Sequence, residues 1–225
     1  MLATREPGNV TGQTTSDAAS LSSMPRIVVP FAGAGGKTRL QASPLERREL
    51  SLAMLGDVLA ACVAVGPTAV VTGDGDGGAV ARDAGAEVVG DPGGGQGAAV
   101  RAALARLEAG QVLVVNADVP CIEPGDLRAL VTRTPAGALA LVEAADGTTN
   151  ALVLPEPGAF APLYGPGSAG RFRAHAAEHG LEVVSLLIPN LADDVDTLED
   201  MHRLTARSGP RTRASLAGLT VEALQ

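Results

Sequence analysis

Along the chain, short, largely apolar runs alternate with stretches in which apolar residues recur at three- and four-residue spacing, and this alternation begins near Arg26. The apolar runs cover residues 27–31, 69–72, 87–89, 112–115, 138–142, 151–154 and 181–188. Strands covered on both faces read as continuous apolar runs, whereas half-exposed strands alternate. With helical patterns between the runs, the chain reads as an α/β protein: a single-domain, mainly parallel sheet with helices on both faces.

The first helix is the best marked. Ser43-Pro44-Leu45-Glu46 supplies an N-cap serine, a proline at the first helical position and a glutamate three residues after the cap. Leu50, Met54, Leu55, Val58, Leu59 and Cys62 then follow at helical spacing. Further helices are expected over residues 97–108, 124–132, 168–178 and 197–205. Residues 1–24 are polar and Gly-containing with little to bury, so they are expected to form a disordered leader, with the folded domain over 25–206. Residues 207–225 read as a tail that begins as a linker and ends either in a short docking helix or in no stable structure.

Composition narrows this picture. A chain of 225 residues suits one domain, and with 46% hydrophobic but only 2% aromatic residues the core must be Ala, Val and Leu. Lys and Arg number 17 against 25 Asp and Glu, a net charge of −8 without a basic stripe, so no nucleic-acid partner is expected. Cys62 and Cys121 lie far apart and outside any Cys/His cluster, which suits buried thiols in a reducing compartment. No apolar run reaches the roughly 18 residues of a membrane span, and no signal peptide is recognisable, so no membrane partner and a cytoplasmic location are expected.

Open α/β sheets bind ligands beyond the carboxyl ends of their strands. Four such places carry unusual residues. After the first strand comes Pro30-Phe31-Ala32-Gly33-Ala34-Gly35-Gly36-Lys37-Thr38-Arg39-Leu40. Its glycines let backbone N–H groups approach phosphate, and Lys37 and Arg39 add positive charge; a plain flexible turn is the other reading. It is neither a P-loop, since Phe31 stands where the first Gly belongs, nor a Rossmann fingerprint, since Thr38 stands at the third.

The second place is Asn116-Ala117-Asp118-Val119-Pro120, which puts a carboxylate at the end of the most apolar strand, either to hold a divalent cation or to cap a turn. The third is Asp193-Asp194-Val195-Asp196-Thr197. If extended, it projects Asp194 and Asp196 the same way, and such a pair repels unless a cation lies between; helix capping by Asp196 is the alternative. The fourth joins Asp146-Gly147-Thr148-Thr149-Asn150 to Tyr164-Gly165-Pro166-Gly167-Ser168. Ser168 there opens a helix carrying Arg171 and Arg173, either an anion seat or a turn. His175, His179 and His202 have no zinc-like spacing, and no nucleophilic triad is apparent.

Taken together, Gly36-Lys37-Thr38-Arg39-Leu40, Ala117-Asp118-Val119-Pro120, Gly147-Thr148-Thr149-Asn150 with the Tyr164–Ser168 stretch, and Asp194-Val195-Asp196-Thr197 resemble the guanylyltransferases of coenzyme F420 biosynthesis. Those enzymes activate 2-phospholactate or phosphoenolpyruvate with GTP. The resemblance runs from about residue 26 to residue 204. It implies a nucleotide-diphospho-sugar transferase fold of the glycosyltransferase-A kind, with Asp118, Asp194 and Asp196 as Mg2+ ligands and Lys37, Arg39 and Asp118 as catalytic residues. Gly33, Gly35, Gly36, Lys37 and Gln96 are expected at the nucleotide, and Thr149, Asn150, Gly165, Ser168 and Arg171 at a phosphorylated acid; a homodimer is a further implication. This chain departs from many relatives at Phe31-Ala32 and at Gly93-Gly94-Gly95-Gln96-Gly97. Another nucleotidyltransferase of the same fold, serving molybdenum cofactor or a sugar phosphate, and a non-catalytic nucleotide-binding module are the competing readings.

Overall fold

The computed structural model describes residues 24–33 and 42–222. The expected leader, apart from Met24, and the loop residues Gly35, Gly36, Lys37 and Arg39 lie outside them. Strand β1 (Arg26–Pro30) is followed by helix α1 (Pro44–Val63), β2 (Thr68–Thr72), α2 (Gly75–Asp83), β3 (Glu87–Gly90), α3 (Gln96–Leu104) and β4 (Val112–Val115). Then come α4 (Pro124–Arg133), β5 (Leu139–Glu143), β6 (Thr149–Leu154), α5 (Ser168–Glu178), β7 (Val183–Ser185), α6 (Pro189–Ala192), α7 (Leu198–Leu204) and α8 (Pro210–Glu222).

Among the described residues the strands form one seven-stranded sheet in the order β3-β2-β1-β4-β6-β5-β7. β6 is antiparallel to both its neighbours, and every other pairing is parallel. The reversal is made by a tight turn in which Gly147, at φ 81°, donates to the Ala144 carbonyl at 3.0 Å, while Asp146 accepts from the Thr148 amide at 2.9 Å. Because β6 runs backwards, its first residues, Thr149 and Asn150, lie where the parallel strands end.

Alternate residues of each strand serve opposite faces of the sheet. Ile27, Val29, Leu113 and Val115 join a core with α1, α2 and α4, whereas Val28, Val112 and Val114 join a second core with α3 and α5. The aromatic residues concentrate in the second core, where Phe160, Tyr164 and Phe172 pack together and Tyr164 meets Phe172 edge-on at 5.3 Å. They hold the stretch between β6 and α5 against the sheet.

The sequence pattern is realised closely in α1. Ser43 Oγ accepts from the Glu46 amide at 3.3 Å, Glu46 accepts from the Ser43 amide at 2.5 Å, and the six expected core residues are buried. Two expectations are shortened. The helix expected over 97–108 ends at Leu104, and the run over 181–188 pairs as strand only over Val183–Ser185, because Leu187 turns outward and Pro189 opens α6. The tail contains α8, which lies against α1. Among the described residues no helix is long and apolar enough to cross a membrane.

Candidate active site

A cleft of about 260 Å³ opens at the carboxyl ends of β1 and β4. Its walls include Phe31 and Gly33 after β1, Ser51 and Met54 of α1, Gly95 and Gln96 at the start of α3, and Asp118 and Asp196. Gly33 and Gly95 adopt φ values of 98° and 87°, a region that strongly favours glycine. Gly95 is also the N-cap of α3, so the first turn of that helix faces the cleft without a side-chain cap.

Asp118 follows β4 by three residues, and Asp194 and Asp196 come from the link between α6 and α7. The two segments are joined by the Val195 amide, which donates to the Asp118 carbonyl at 3.1 Å. Val195 is itself buried, so its two flanking aspartates turn the other way, toward Asp118. One carboxylate oxygen from each of Asp118, Asp194 and Asp196 lies within 4.8 Å of the others, and all three residues are half-buried.

Burial, then the neighbouring Asp118 and Asp196 charges, push the Asp194 carboxyl up to about 6, against a hydrogen bond from Asn150 that favours the anion. Three hard oxygen donors in mutual repulsion fit a small divalent cation and no soft metal. Capping of α7 falls to Thr197, whose hydroxyl accepts from the Asp200 amide at 3.2 Å while Asp200 accepts from the Thr197 amide at 3.0 Å. Asp196 is thereby left to the cluster. The adjacent Asp193 is directed away: burial opposes its ionisation, yet Arg203 and Arg207 hold it below the usual carboxylate range.

Asn116 is a connection that the sequence did not single out as a site residue. Its Oδ1 accepts from Gln96 Nε2 at 2.7 Å, and its Nδ2 donates to the Thr149 carbonyl and to Asn150 Oδ1, each at 3.2 Å. Asn150 Nδ2 lies 3.3 Å from the Ala192 carbonyl, just ahead of the aspartates. A continuous amide chain thus runs from Gln96 to the carboxylate cluster. A polar amide ending a wholly apolar strand was the available signal.

Thr149 and Ser168 form a second pair, with Ser168 Oγ donating to Thr149 Oγ1 at 3.0 Å, and both are buried. The amides of Ser168 and Ala169 at the start of α5 already donate to the carbonyls of Gly165 and Gly147, at 3.0 and 3.2 Å. Arg171 folds back over the same stretch, its guanidinium donating to the carbonyls of Leu163, Tyr164 and Pro166. It braces the segment carrying Gly165, which sits at φ 114°. The structure therefore brings Gly33, Gln96, Asp118 and Asp196 to one cleft, ties Asn150 to it, and sets Thr149, Gly165, Ser168 and Arg171 beside it as a hydrogen-bonded group.

A family model described as "Guanylyl transferase CofC like" matches residues 25–221. A phosphoenolpyruvate guanylyltransferase of Rubrobacter xylanophilus is 37% identical over 188 residues, covering 80% of this chain and 92% of that protein. Another, of Thermomonospora curvata, is 36% identical over 217 residues, covering 91% of this chain and 92% of its own length. Among solved structures, a protein assigned as a nucleotide-diphospho-sugar transferase from Desulfovibrio desulfuricans G20 superposes with a TM-score of 0.69 at 16% identity, over 87% of this chain and 95% of that one. That last likeness concerns the fold alone.

Proposed function

Because the chain belongs to the CofC-like guanylyl transferase family and is a nucleotidyltransferase, we propose that it transfers GMP from GTP to phosphoenolpyruvate with release of pyrophosphate, as a step of coenzyme F420 biosynthesis. The observation that carries this reading is the carboxylate cluster of Asp118, Asp194 and Asp196 beside a cleft at the strand ends.

A phosphate oxygen of the acceptor forms a bond to the α-phosphorus of GTP, and the bond from that phosphorus to the bridging oxygen of the β-phosphate breaks. A phosphate monoester is already anionic at neutral pH, so the reaction needs no strong general base. The protein's task is to hold two anions in line and offset their repulsion. Asp118, Asp194 and Asp196 hold Mg2+, which when bound supplies positive charge to the phosphate oxygens.

By the family resemblance, Lys37 and Arg39 contribute positive charge for the leaving pyrophosphate, and Gly33, Gly35, Gly36 and Gln96 bind the nucleotide. Asn150 orients Asp194 and, with Thr149, Gly165 and Ser168, faces the acid; Arg171 keeps that segment in place.

The test is pyrophosphate release from GTP and Mg2+ with phosphoenolpyruvate, 2-phospholactate and 3-phosphoglycerate offered separately. Release is expected with phosphoenolpyruvate, falling at least about 100-fold in Asp118→Asn, since loss of one anionic ligand removes several kcal/mol of charge stabilisation. Absence of release with every acid, from a chain that binds GTP, would reject the acceptor and favour a different nucleotidyl acceptor.

A further inference from the structure

We propose that α8 and the residues leading into it act as a strap that fixes the Asp118 loop, and that Asp57, in the middle of α1, is the positioning residue that fastens it. The proposal rests on the reading of the three aspartates as a cation site, from which Asp57 is itself separate.

Asp57 is 6% exposed, and a carboxylate so enclosed needs donors of its own. Its Oδ1 accepts from the Arg211 amide at 3.1 Å and its Oδ2 from the Thr212 amide at 2.8 Å. Those amides belong to the first turn of α8, where backbone donors lack partners within the helix and a negative charge is favoured. Asp57 therefore caps a helix that begins far away in sequence, at Pro210. The fit is close on both sides. A Cβ on Gly209 would lie 2.2 Å from Asp57 Cγ, and one on Gly56 would lie 2.5 Å from the Arg211 guanidinium.

The strap reaches the aspartates by two routes. The Gly209 amide donates to the Pro120 carbonyl at 2.8 Å, two residues beyond Asp118. Leu216 of α8 shares a small core with Leu50, Met54, Cys121 and Val195, so it backs the residue between Asp194 and Asp196 and the Met54 wall of the cleft. Apolar packing alone would dock α8. A buried charge held by two aligned amides instead restricts it to one placement, the use to which such costly groups are best suited.

The test uses full-length protein and Mn2+ alone, with free Mn2+ followed by its electron paramagnetic resonance signal and folding by thermal melting. Asp57→Asn preserves shape but turns an NH2 toward one of the two backbone amides; Gly209→Ala preserves the carboxylate but forces the strap away from it. Thr134→Ala, which removes a buried hydroxyl bonded to the Leu130 carbonyl at 2.7 Å, controls for lost stability. The Mn2+ dissociation constant is expected to rise tenfold or more in Asp57→Asn and in Gly209→Ala, and to stay at the parent value in Thr134→Ala. Parent-like Mn2+ affinity in either strap variant, with the fold retained, overturns the strap alone. Failure of the parent chain to bind Mn2+ overturns the cation reading and the strap with it. Should Asp57→Asn not fold, Gly209→Ala decides.

Discussion

At the scale of single residues, the carboxylates and the amides of the site differ in how far the sequence announces them. Asp118 lies just beyond an apolar strand, and Asp194 and Asp196 flank a single buried valine, so local spacing alone puts them near the carboxyl ends of the strands. Asn116 is marked locally only as a polar amide directly after β4, which does not say what it bonds to. Its partners Gln96 and Asn150 are 20 and 34 residues away, and only the reversed direction of β6 brings them together. Asn116→Leu leaves the Gln96 amide, the Thr149 carbonyl and the Asn150 side chain without this partner. It is expected to lower kcat/KM about 10–100-fold, the usual effect of removing a group that orients a cation ligand, and to reduce stability by about 1–3 kcal/mol. Parent-like turnover by a folded Asn116→Leu protein would show that the amide chain serves packing only. The two cysteines, read from sequence as buried thiols, are both buried, and burial pushes the Cys62 thiol well above its ordinary range.

Among the elements, legibility followed the strength of local signals. The capping box and apolar stripe of α1 were complete in the sequence and complete in the structure. Helix α2 went unread because Gly75, Gly77 and Gly78 weaken its propensity, although Asp74 caps it by accepting from the amides of Asp76 and Gly77. Gly77 is required by packing: a Cβ there would meet the Phe31 ring at 2.6 Å, beside the cleft. Nor did the sequence show that the start of α3 abuts the segment before α5. At Gly97 a Cβ would lie 2.6 Å from the Pro162 Cβ and 3.0 Å from its Cα. Gly97→Ala is expected to displace that segment and cost about 1–3 kcal/mol, the usual range for overpacking. A urea melt reads this as a lower midpoint at unchanged slope. The KM for the acid should rise with it, since ring packing and the Arg171 bonds link residues 160–168 to one another; an unchanged midpoint and KM would remove the contact from the account.

For the whole molecule, the mainly parallel sheet covered on both faces was legible because continuous apolar runs admit few other arrangements. The direction of β6 was not, since an apolar run reads the same either way along the sheet; only the Asp146-Gly147 turn encodes it. Nor did the polar start of residues 207–225 disclose that Asp57, far away in sequence, caps the helix that follows. The fold thus assembles a site whose two halves come from opposite strand directions: the aspartate cleft after β1 and β4, and the Thr149, Asn150 and Ser168 group at the start of β6 and α5.

The central claim is that the acceptor's phosphate attacks the α-phosphorus of GTP. Phosphoenolpyruvate labelled with oxygen-18 in the non-bridging oxygens of its phosphate follows that atom directly, with the isotope shift of each phosphorus in the GMP adduct read by phosphorus NMR. The account predicts one oxygen-18 on the GMP-derived phosphorus, in the new bridge, and none in the released pyrophosphate. A GMP-derived phosphorus without oxygen-18, or label in pyrophosphate, would contradict it.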